Sequence, residues 1–242
     1  MKIPFSPPYI DDNVIAEVTD SLRSGWITTG PKVKALEEEI TKLTGTQHAL
    51  CVNSWTTGAI MMLRWLGVKP GDEVIIPAYT YCATAFAVLW AGAKPVMVDS
   101  DDDLNISVEA IRKAITPRTK AIIPVDIAGF PCDYSQIMAL VNEPEIKAQY
   151  QATSPVMEQL GRIIVINDSA HSIGSHYHGQ FSGTDTDIVI FSLHAVKNIT
   201  TAEGGAICLN MPACFSHFMP SCFWHCLSSC FLHCLSQFSC CA

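Results

Sequence analysis

Short apolar runs recur along the first 210 residues, and segments with helical spacing separate them. Runs such as Ile163–Ile166 are rich in β-branched residues, which is typical of strands that are buried on both faces. The pattern predicts seven strands, at Ala49–Val52, Glu73–Pro77, Pro95–Asp99, Ala121–Val125, Ile163–Ile166, Asp187–Phe191 and Ala206–Leu209.

The segments between these runs place apolar residues three and four positions apart, which favours amphipathic helices. Residues 142–155 are polar, and we interpret them as a surface insertion. Helices are predicted at Tyr9–Leu22, Lys34–Leu43, Ala59–Leu66, Tyr81–Ala91, Ser107–Ile115 and Ser135–Val141, with Met157–Leu160 as an irregular continuation. Strands that alternate with helices indicate βαβ units, so the predicted fold is α/β, with a mostly parallel seven-stranded sheet flanked by helices.

The composition changes abruptly after the first 210 residues. Three of the eleven cysteines precede residue 200, whereas seven lie beyond residue 210. Within this tail, residues 221–228 are echoed by residues 229–236. We therefore predict a large domain at residues 1–210 and an unrelated low-complexity tail at residues 211–242.

Two interpretations of the tail stay open. Cys222, Cys226, Cys230 and Cys234 would follow one face of a helix, and cysteine thiolates are zinc ligands. However, the Cys-x2-Cys spacing of structural zinc sites is missing, and ligands four residues apart spread along a helix. The favoured interpretation is a non-homologous end, produced by a frameshift or by read-through of non-coding sequence, and no metal site is predicted.

Charge and hydropathy argue against several functional classes. The formal net charge is −8 and the sequence pI is about 5.4, which argues against nucleic acid as a partner. No apolar run approaches the roughly 18 residues that a membrane span needs. The first residues lack the apolar core of a signal peptide, and the sparse cysteines before residue 200 fit a reduced compartment, so we expect a cytoplasmic protein.

Lys197 follows the strand predicted at Asp187–Phe191. A lysine at the exit of a buried strand is partly desolvated, which lowers the pKa of its amine and makes it a nucleophile toward an aldehyde. The ordinary alternative is a surface lysine whose stem lies along apolar residues. A second stretch of the chain favours the first interpretation.

That stretch places Asp168 at the carboxyl end of the strand that begins at Ile163. Ligands of open α/β sheets bind beyond this edge, so Asp168 and Lys197 are expected to face one crevice. The pair suits pyridoxal 5'-phosphate (PLP), because a lysine forms its Schiff base and an acid keeps its pyridine nitrogen protonated. A helix N-cap is the alternative role for Asp168.

Three strings resemble the DegT/DnrJ/EryC1/StrS family of sugar aminotransferases. They are Gly25–Pro31, Asp168–His171 and Ser192–Gly205, and the likeness extends over about residues 3–210. The nearest likeness is to the branch that makes 4-amino-4-deoxyarabinose on a uridine diphosphate carrier. The resemblance implies a homodimeric PLP enzyme of fold type I. This chain would hold the large domain, and the C-terminal small domain would be missing.

The resemblance also implies roles for individual residues. Lys197 matches the Schiff-base lysine, Asp168 the partner of the ring nitrogen, and His171 a position near the ring hydroxyl. The remaining matches are phosphate contacts by Thr56, Thr57 and Ser192, ring stacking by Tyr81, and sugar-site positions at Trp26 and Thr28. The ordinary alternatives are helix capping for the threonines, a satisfied core residue for His171 and a core aromatic for Tyr81.

By resemblance, the chain is a PLP-dependent aminotransferase that moves an amino group from glutamate to a nucleotide-linked keto sugar. One alternative is an inactive PLP-binding or interaction protein, because the region that completes the dimeric site of the family is missing. Another alternative is a PLP-dependent sugar dehydratase of the same family. Those enzymes usually carry histidine at the lysine position, so Lys197 disfavours this alternative.

Overall fold

The computed structural model describes residues 6–211 of the chain. The predicted tail lies outside the described residues apart from Met211, and both interpretations of it stay predictions. The described helices are α1 (Asp12–Ser24), α2 (Pro31–Thr44), α3 (Trp55–Trp65), α4 (Cys82–Trp90), α5 (Val108–Ala114), α6 (Tyr134–Asn142), α7 (Pro144–Gln149) and α8 (Pro155–Leu160), with a 3-10 turn at Ile127–Gly129.

The strands are β1 (His48–Val52), β2 (Glu73–Pro77), β3 (Lys94–Val98), β4 (Thr119–Ile122), β5 (Ile164–Ser169), β6 (His176–Tyr177), β7 (Gln180–Phe181), β8 (Ile188–Ser192) and β9 (Gly205–Leu209). Seven of them form one sheet in the order β1-β9-β8-β5-β4-β2-β3. Strand β9 runs antiparallel to β1 and β8, and the other neighbours are parallel. The predicted fold, a mostly parallel seven-stranded α/β sheet flanked by helices, is confirmed.

The two faces of β8 pack against different helices. Val189 and Phe191 lie in a cluster with Ile40 of α2. Ile190 points to the other face, where a Cβ added to Gly58 of α3 would lie 3.2 Å from its Cγ2. All residues of β8 are buried. A strand covered on both faces must be apolar throughout, which explains why these runs show no alternation of polar residues.

A second cluster lies on the half of the sheet formed by β2, β4 and β5. Ile75, Ile122 and Val165 pack there with Ile111 of α5 and Ile137 of α6. All five side chains are fully buried. The core therefore consists of layers of helix on either side of the sheet, and these layers bury the strands that carry the site.

Two features differ from the pattern in the sequence. The segment 142–155 contains α7, which begins at Pro144, where the fixed φ of proline suits the first helical turn. This helix buries only Ile146, so the segment shows no apolar period. Strands β6 and β7 are too short for a detectable alternation, and residues His178 and Gly179 join them with positive φ angles of 50° and 79°.

Helix α1 is amphipathic, yet it buries none of its residues. Asp11 caps its start by accepting a hydrogen bond of 2.9 Å from a backbone N–H three residues later, and Gly25 ends it with a φ of 72°. Ile15, Val18 and Leu22 are each more than half exposed. The capping residues therefore set the bounds of this helix, because none of its side chains is buried in the core. Neither α1 nor any other described helix has the length and apolarity to cross a membrane.

Arg162 and Asp187 form a buried ion pair just before β5 and β8. Two hydrogen bonds of 2.8 and 2.6 Å join their side chains, of which 13% and 6% are exposed. The carboxylate also accepts the backbone N–H of Val165 at 2.9 Å. We expect Arg162→Ala to lower the free energy of unfolding by about 3 kcal/mol, because it leaves a buried charge without its partner.

Arg112 and Glu143 provide a matched control. They are also joined by two hydrogen bonds, of 2.6 and 2.5 Å, but 44% and 36% of their side chains are exposed. Arg112→Ala should cost at most about 1 kcal/mol, because water replaces the lost partner. Urea unfolding measures both variants, and equal losses would contradict the role given to burial.

Candidate active site

A cavity of about 1040 Å³ opens at the carboxyl ends of β5 and β8. Its wall combines these strand ends with the starts of α3 and α4, the 3-10 turn and the segment that follows β8. Six of the site residues predicted from the sequence line it, namely Thr56, Tyr81, Asp168, His171, Ser192 and Lys197. Ser54, two residues before Thr56, lines it as well. Asp168 and Lys197 thus face one crevice.

Asp168 is the next-to-last residue of β5 and is therefore not a helix N-cap. Its carboxyl group accepts hydrogen bonds from the Thr84 hydroxyl at 3.2 Å and the Ala170 backbone N–H at 3.1 Å. Burial raises the pKa of Asp168 to about 7, because these bonds and the charge of Lys197 offset the loss of water only in part. A carboxyl group in this state favours a cation beside it in the cavity.

Lys197 lies in the segment that connects β8 with β9. Its backbone N–H donates to the carbonyl of His194 at 2.9 Å, and the carbonyl of Leu193 accepts the N–H of Thr201 at 3.0 Å. The segment therefore folds back on the end of β8. Burial lowers the pKa of the half-buried Lys197 amine, and the charge of Asp168 opposes this shift. A lowered pKa increases the fraction of neutral, nucleophilic amine.

His171 lies in the loop after β5 and lines the cavity. Partial burial of its ring and the charge of Lys197 lower the pKa of the imidazole. Gly129 packs directly against this loop, because a Cβ there would lie 3.0 Å from the carbonyl oxygen of His171. The φ of Gly129 is 84°, a conformation that glycine adopts without strain.

The start of α3 faces the cavity with free backbone N–H groups and hydroxyls. The Ser54 hydroxyl accepts the N–H of Thr57 at 3.1 Å and donates to the Thr57 hydroxyl at 3.0 Å. Thr57 is thus part of the helix cap, and it does not line the cavity, whereas Thr56 and Ser192 do. A helix start with converging hydroxyls suits a phosphate group.

Gly205 allows this helix start to approach the sheet. A Cβ at Gly205 would lie 2.7 Å from the carbonyl carbon of Ser54 and 2.8 Å from the backbone nitrogen of Trp55. It would also lie 2.8 Å from the carbonyl oxygen of Phe191. Because all three are backbone atoms that cannot rotate away, only glycine fits between β8 and α3.

Tyr81 directly precedes α4 and lines the cavity. Its side chain is 76% exposed, so the interpretation as a core aromatic is wrong. Thr84 follows one turn later, and its hydroxyl is hydrogen-bonded to that of Thr80 at 2.8 Å and to Asp168. Thr84 is not predicted as a site residue from the sequence, where its only signal is its position three residues after Tyr81. Ser54 belongs to the Ser/Thr turn before α3 that suggests a phosphate site, although only Thr56 and Thr57 of that turn are assigned as phosphate contacts.

Trp26 and Thr28 do not line this cavity. The Trp26 indole N–H donates to the carbonyl of Thr29 at 3.0 Å, and the indole lies against Gly30. The loop therefore folds on itself, with Trp26 59% exposed. The assignment of these two residues to a sugar site stays a prediction.

The cavity combines three chemical elements: an amine with a lowered pKa, a buried acid and an anion-binding helix start. Together they suit a ligand that carries an electrophilic carbon, a basic ring nitrogen and a phosphate. Within residues 6–211, no cluster of three or more His, Cys, Asp or Glu side chains could hold a metal ion.

Comparison with known proteins identifies the family. A profile described as the DegT/DnrJ/EryC1/StrS aminotransferase family matches residues 8–219. The chain belongs to this family. The resemblance seen in the sequence is thereby confirmed.

Solved structures agree with this assignment. A Streptococcus pneumoniae protein described as a sugar aminotransferase is 46% identical to this chain in its PMP (pyridoxamine 5'-phosphate) form, with a TM-score of 0.84 over 87% of this chain. Its PLP form is 44% identical, with a TM-score of 0.87 over 93% of this chain. Helicobacter pylori PseC, an aminotransferase of pseudoaminic acid biosynthesis, is 30% identical, with a TM-score of 0.77 over 88% of this chain.

A dehydratase also shares the fold. GDP-4-keto-6-deoxymannose-3-dehydratase, solved as a mutant with bound GDP-perosamine, is 27% identical, with a TM-score of 0.75 over 87% of this chain. The present chain spans about half the length of these structures, covering 53% and 57% of the S. pneumoniae protein in its two forms, 53% of PseC and 52% of the dehydratase.

The raised pKa of Asp168 makes stability depend on pH. An aspartate in an unfolded chain has a pKa of about 3.9, whereas burial raises that of Asp168 to about 7. Between these values the folded state binds more protons, so this residue lowers the free energy of unfolding as pH rises. We expect Asp168→Asn to stabilise the cofactor-free protein at about pH 8 by a few kcal/mol (about 1.4 kcal/mol per pKa unit).

The advantage should shrink as the pH falls from about 7 toward about 4, where the carboxyl group of the folded state is protonated and that of the unfolded state begins to be protonated. Thermal unfolding of the parent chain and of Asp168→Asn across this range measures the difference. A constant difference at every pH would contradict the raised pKa.

Proposed function

We propose that this chain is the large-domain part of a PLP-dependent aminotransferase that transfers an amino group from glutamate to a nucleotide-linked keto sugar. The observation that carries the proposal is the shared cavity of Lys197 and Asp168. An amine with a lowered pKa and a buried acid with a raised pKa both line this cavity. Pairs with opposite shifts of this kind are typical of acid–base sites.

The residues fit PLP. Asp168 is a buried carboxyl group that a cationic ring nitrogen would return to its ionised form. The start of α3, with Ser54, Thr56 and Ser192, offers the phosphate its N–H groups and hydroxyls. Tyr81 supplies an aromatic face at the cavity rim, although its stacking role is carried over from the family.

The chain's own residues then have distinct tasks. Bound PLP supplies an electron sink for the carbon from which a proton is removed. The Lys197 amine would hold the cofactor and, once released, would move a proton between the carbons that exchange the amino group. Asp168 would keep the ring nitrogen protonated through its ionised carboxylate. His171 would lie beside the ring hydroxyl.

Properties of the relatives support the nature of the reaction. The S. pneumoniae protein is solved in PLP and PMP forms, which are the two cofactor states that an amino-group carrier visits. PseC is an aminotransferase of sugar biosynthesis. The glutamate donor and the nucleotide carrier come from the family resemblance alone and belong to the proposal.

A second copy of the chain and a cytoplasmic location also belong to the proposal. Phe86, Leu89 and Trp90, which are three and four positions apart on α4, are 51%, 52% and 67% exposed. Such a row of large apolar side chains, on the helix whose start lines the cavity, supports an interface on this face. The site would then be completed by residues from outside the described chain.

A sugar dehydratase is the second candidate, because such an enzyme is among the structural relatives. The presence of Lys197, where family dehydratases usually carry histidine, favours the aminotransferase. The third candidate, an inactive PLP-binding protein, is consistent with a chain that spans about half the length of its relatives. Two measurements separate the aminotransferase from the inactive binding protein.

The first measurement is attachment of the cofactor. After addition of PLP and reduction with borohydride, we expect peptide mapping by mass spectrometry to find the cofactor on Lys197, because its amine is half-buried in the cavity and has a lowered pKa. Lys197→Ala should abolish this label.

Lys120 is the matched control for the attachment. Burial lowers the pKa of this lysine too, but its amine donates to the carbonyls of Pro117 at 2.9 Å and Gln151 at 2.6 Å, away from the cavity. It should stay unlabelled. A label on Lys120, or on any lysine other than Lys197, would end the assignment.

The second measurement is the half-reaction with glutamate. Mixed with the PLP-loaded chain, glutamate should give at most one equivalent of 2-oxoglutarate per bound cofactor while the amino group stays on the cofactor. Asp168→Asn should slow this step about a hundredfold, the loss typical of one group that stabilises developing charge. A labelled Lys197 without any 2-oxoglutarate would favour the inactive binding protein. A parent-like rate in Asp168→Asn would contradict the role of Asp168.

A further inference from the structure

A second buried carboxylate, Asp126, lies directly behind the site. It follows Val125, which forms a bridge with Asp168 on the neighbouring strand. The backbone N–H of Asp126 donates to the carbonyl of Asp168 at 3.1 Å. The Asp126 side chain is completely buried and does not line the cavity. It is therefore placed to act on the site through other residues.

The two oxygens of Asp126 bind two different parts of the chain. Oδ1 accepts the N–H of Cys132, just before α6, at 3.0 Å and the hydroxyl of Tyr134, the first residue of α6, at 2.5 Å. Oδ2 accepts the hydroxyls of Ser172 at 2.6 Å and Ser182 at 3.0 Å. One carboxylate thus connects α6 with the loop and hairpin that follow β5.

The serines on Oδ2 enclose the site residues of this loop. Ser169 also donates to Oδ2, at 3.4 Å, so Ser169 and Ser172 bind the same oxygen from either side of Ala170 and His171. The Ala170 N–H in turn donates to Asp168. Fixing both ends of a two-residue segment restricts the positions that the His171 ring can take.

A carboxylate suits this position better than any neutral side chain. All the groups that reach it donate a proton, and an ionised carboxylate accepts on both oxygens. Burial raises the pKa of Asp126, whereas the bonds from Ser172, Tyr134, Cys132 and Ser182 lower it. An asparagine would turn an NH2 group toward donors on one side and would leave them unsatisfied.

We propose that Asp126 is a positioning residue, which holds the Ser169–Ser172 loop so that His171 and the Asp168 end of β5 keep their places in the cavity. Testing this proposal through the affinity for PLP rests on the proposed function. Testing it through the NMR signal of the His171 ring does not. The competing explanation is a purely structural role, in which Asp126 only stabilises the core around α6.

Asp187 separates these explanations. It is also a buried carboxylate that joins two segments, through Arg162 and the Val165 N–H, but it lies at the opposite end of β8. Asp126→Asn and Asp187→Asn should both lower the melting temperature of the full chain. We expect only Asp126→Asn to weaken the apparent Kd for PLP, by about tenfold, with Asp187→Asn within about twofold of the parent.

Two serine variants each remove one of the hydrogen bonds to Asp126, and they serve as the test if Asp126→Asn does not fold. Ser172→Ala removes the hydroxyl next to His171, whereas Ser182→Ala removes the bond to the hairpin. Both serines are buried, so their stability losses should be similar. Ser172→Ala should weaken PLP binding more than Ser182→Ala, because it frees the loop beside the ring.

The His171 ring signal in NMR, identified with His171→Gln, is the readout that needs no cofactor. It should shift in Asp126→Asn and Ser172→Ala and stay unchanged in Asp187→Asn. A Kd for PLP that follows the melting temperature equally in all variants would overturn the proposal. If the parent chain binds no PLP, the proposed function fails, and an unchanged His171 signal in Asp126→Asn would then overturn the positioning role by itself.

Discussion

The site depends on the pairing of two completely buried parallel strands, β5 and β8. Their register sets Asp168 opposite Ile190 and Ser169 opposite Phe191. Because parallel strands end at the same edge, the acid on β5 and the segment after β8 that carries Lys197 emerge side by side. Helices cover both faces of these strands, so a shift by one residue would move every side chain to the opposite face and disrupt its packing against the helices.

The antiparallel strand β9 completes the other half of the cavity. It pairs with both β8 and β1, and its first residue, Gly205, lies opposite Ser192 on one side and Val52 on the other. The missing side chain leaves room for the backbone of Ser54 at the start of α3. An anion-binding helix start thus meets the end of β8, although the segments are far apart in the sequence.

Two buried carboxylates near this edge have different surroundings. Asp126 accepts hydrogen bonds from five groups of the protein, which lower its pKa, although burial still raises that pKa overall. Asp168 accepts two and faces the cavity, where its pKa of about 7 marks a charge that the protein alone leaves poorly compensated. Groups that are unfavourable for folding and face a cavity are typical of functional sites, because a ligand can supply what the protein lacks.

The local pattern of residues was enough to predict the strands, the long helices and the pair of Asp168 and Lys197. Buried strands are apolar throughout, helix ends such as Gly25 carry their own signals, and polar groups after strands converge at one edge. These properties depend on neighbours in the chain. The helix within residues 142–155 and the short strands β6 and β7 are too short to show a full period, so the sequence does not predict them.

Only the tertiary structure decided which side chains meet. It turned Thr56 toward the cavity and Thr57 toward the Ser54 cap, and it left Tyr81 exposed at the rim. It also brought Thr84 to Asp168 across 84 positions, and Ser172 to Asp126 across 46. Such contacts depend on the rotation of helices against the sheet and on the course of loops. The packing of the whole core sets both, and no local period in the sequence records them.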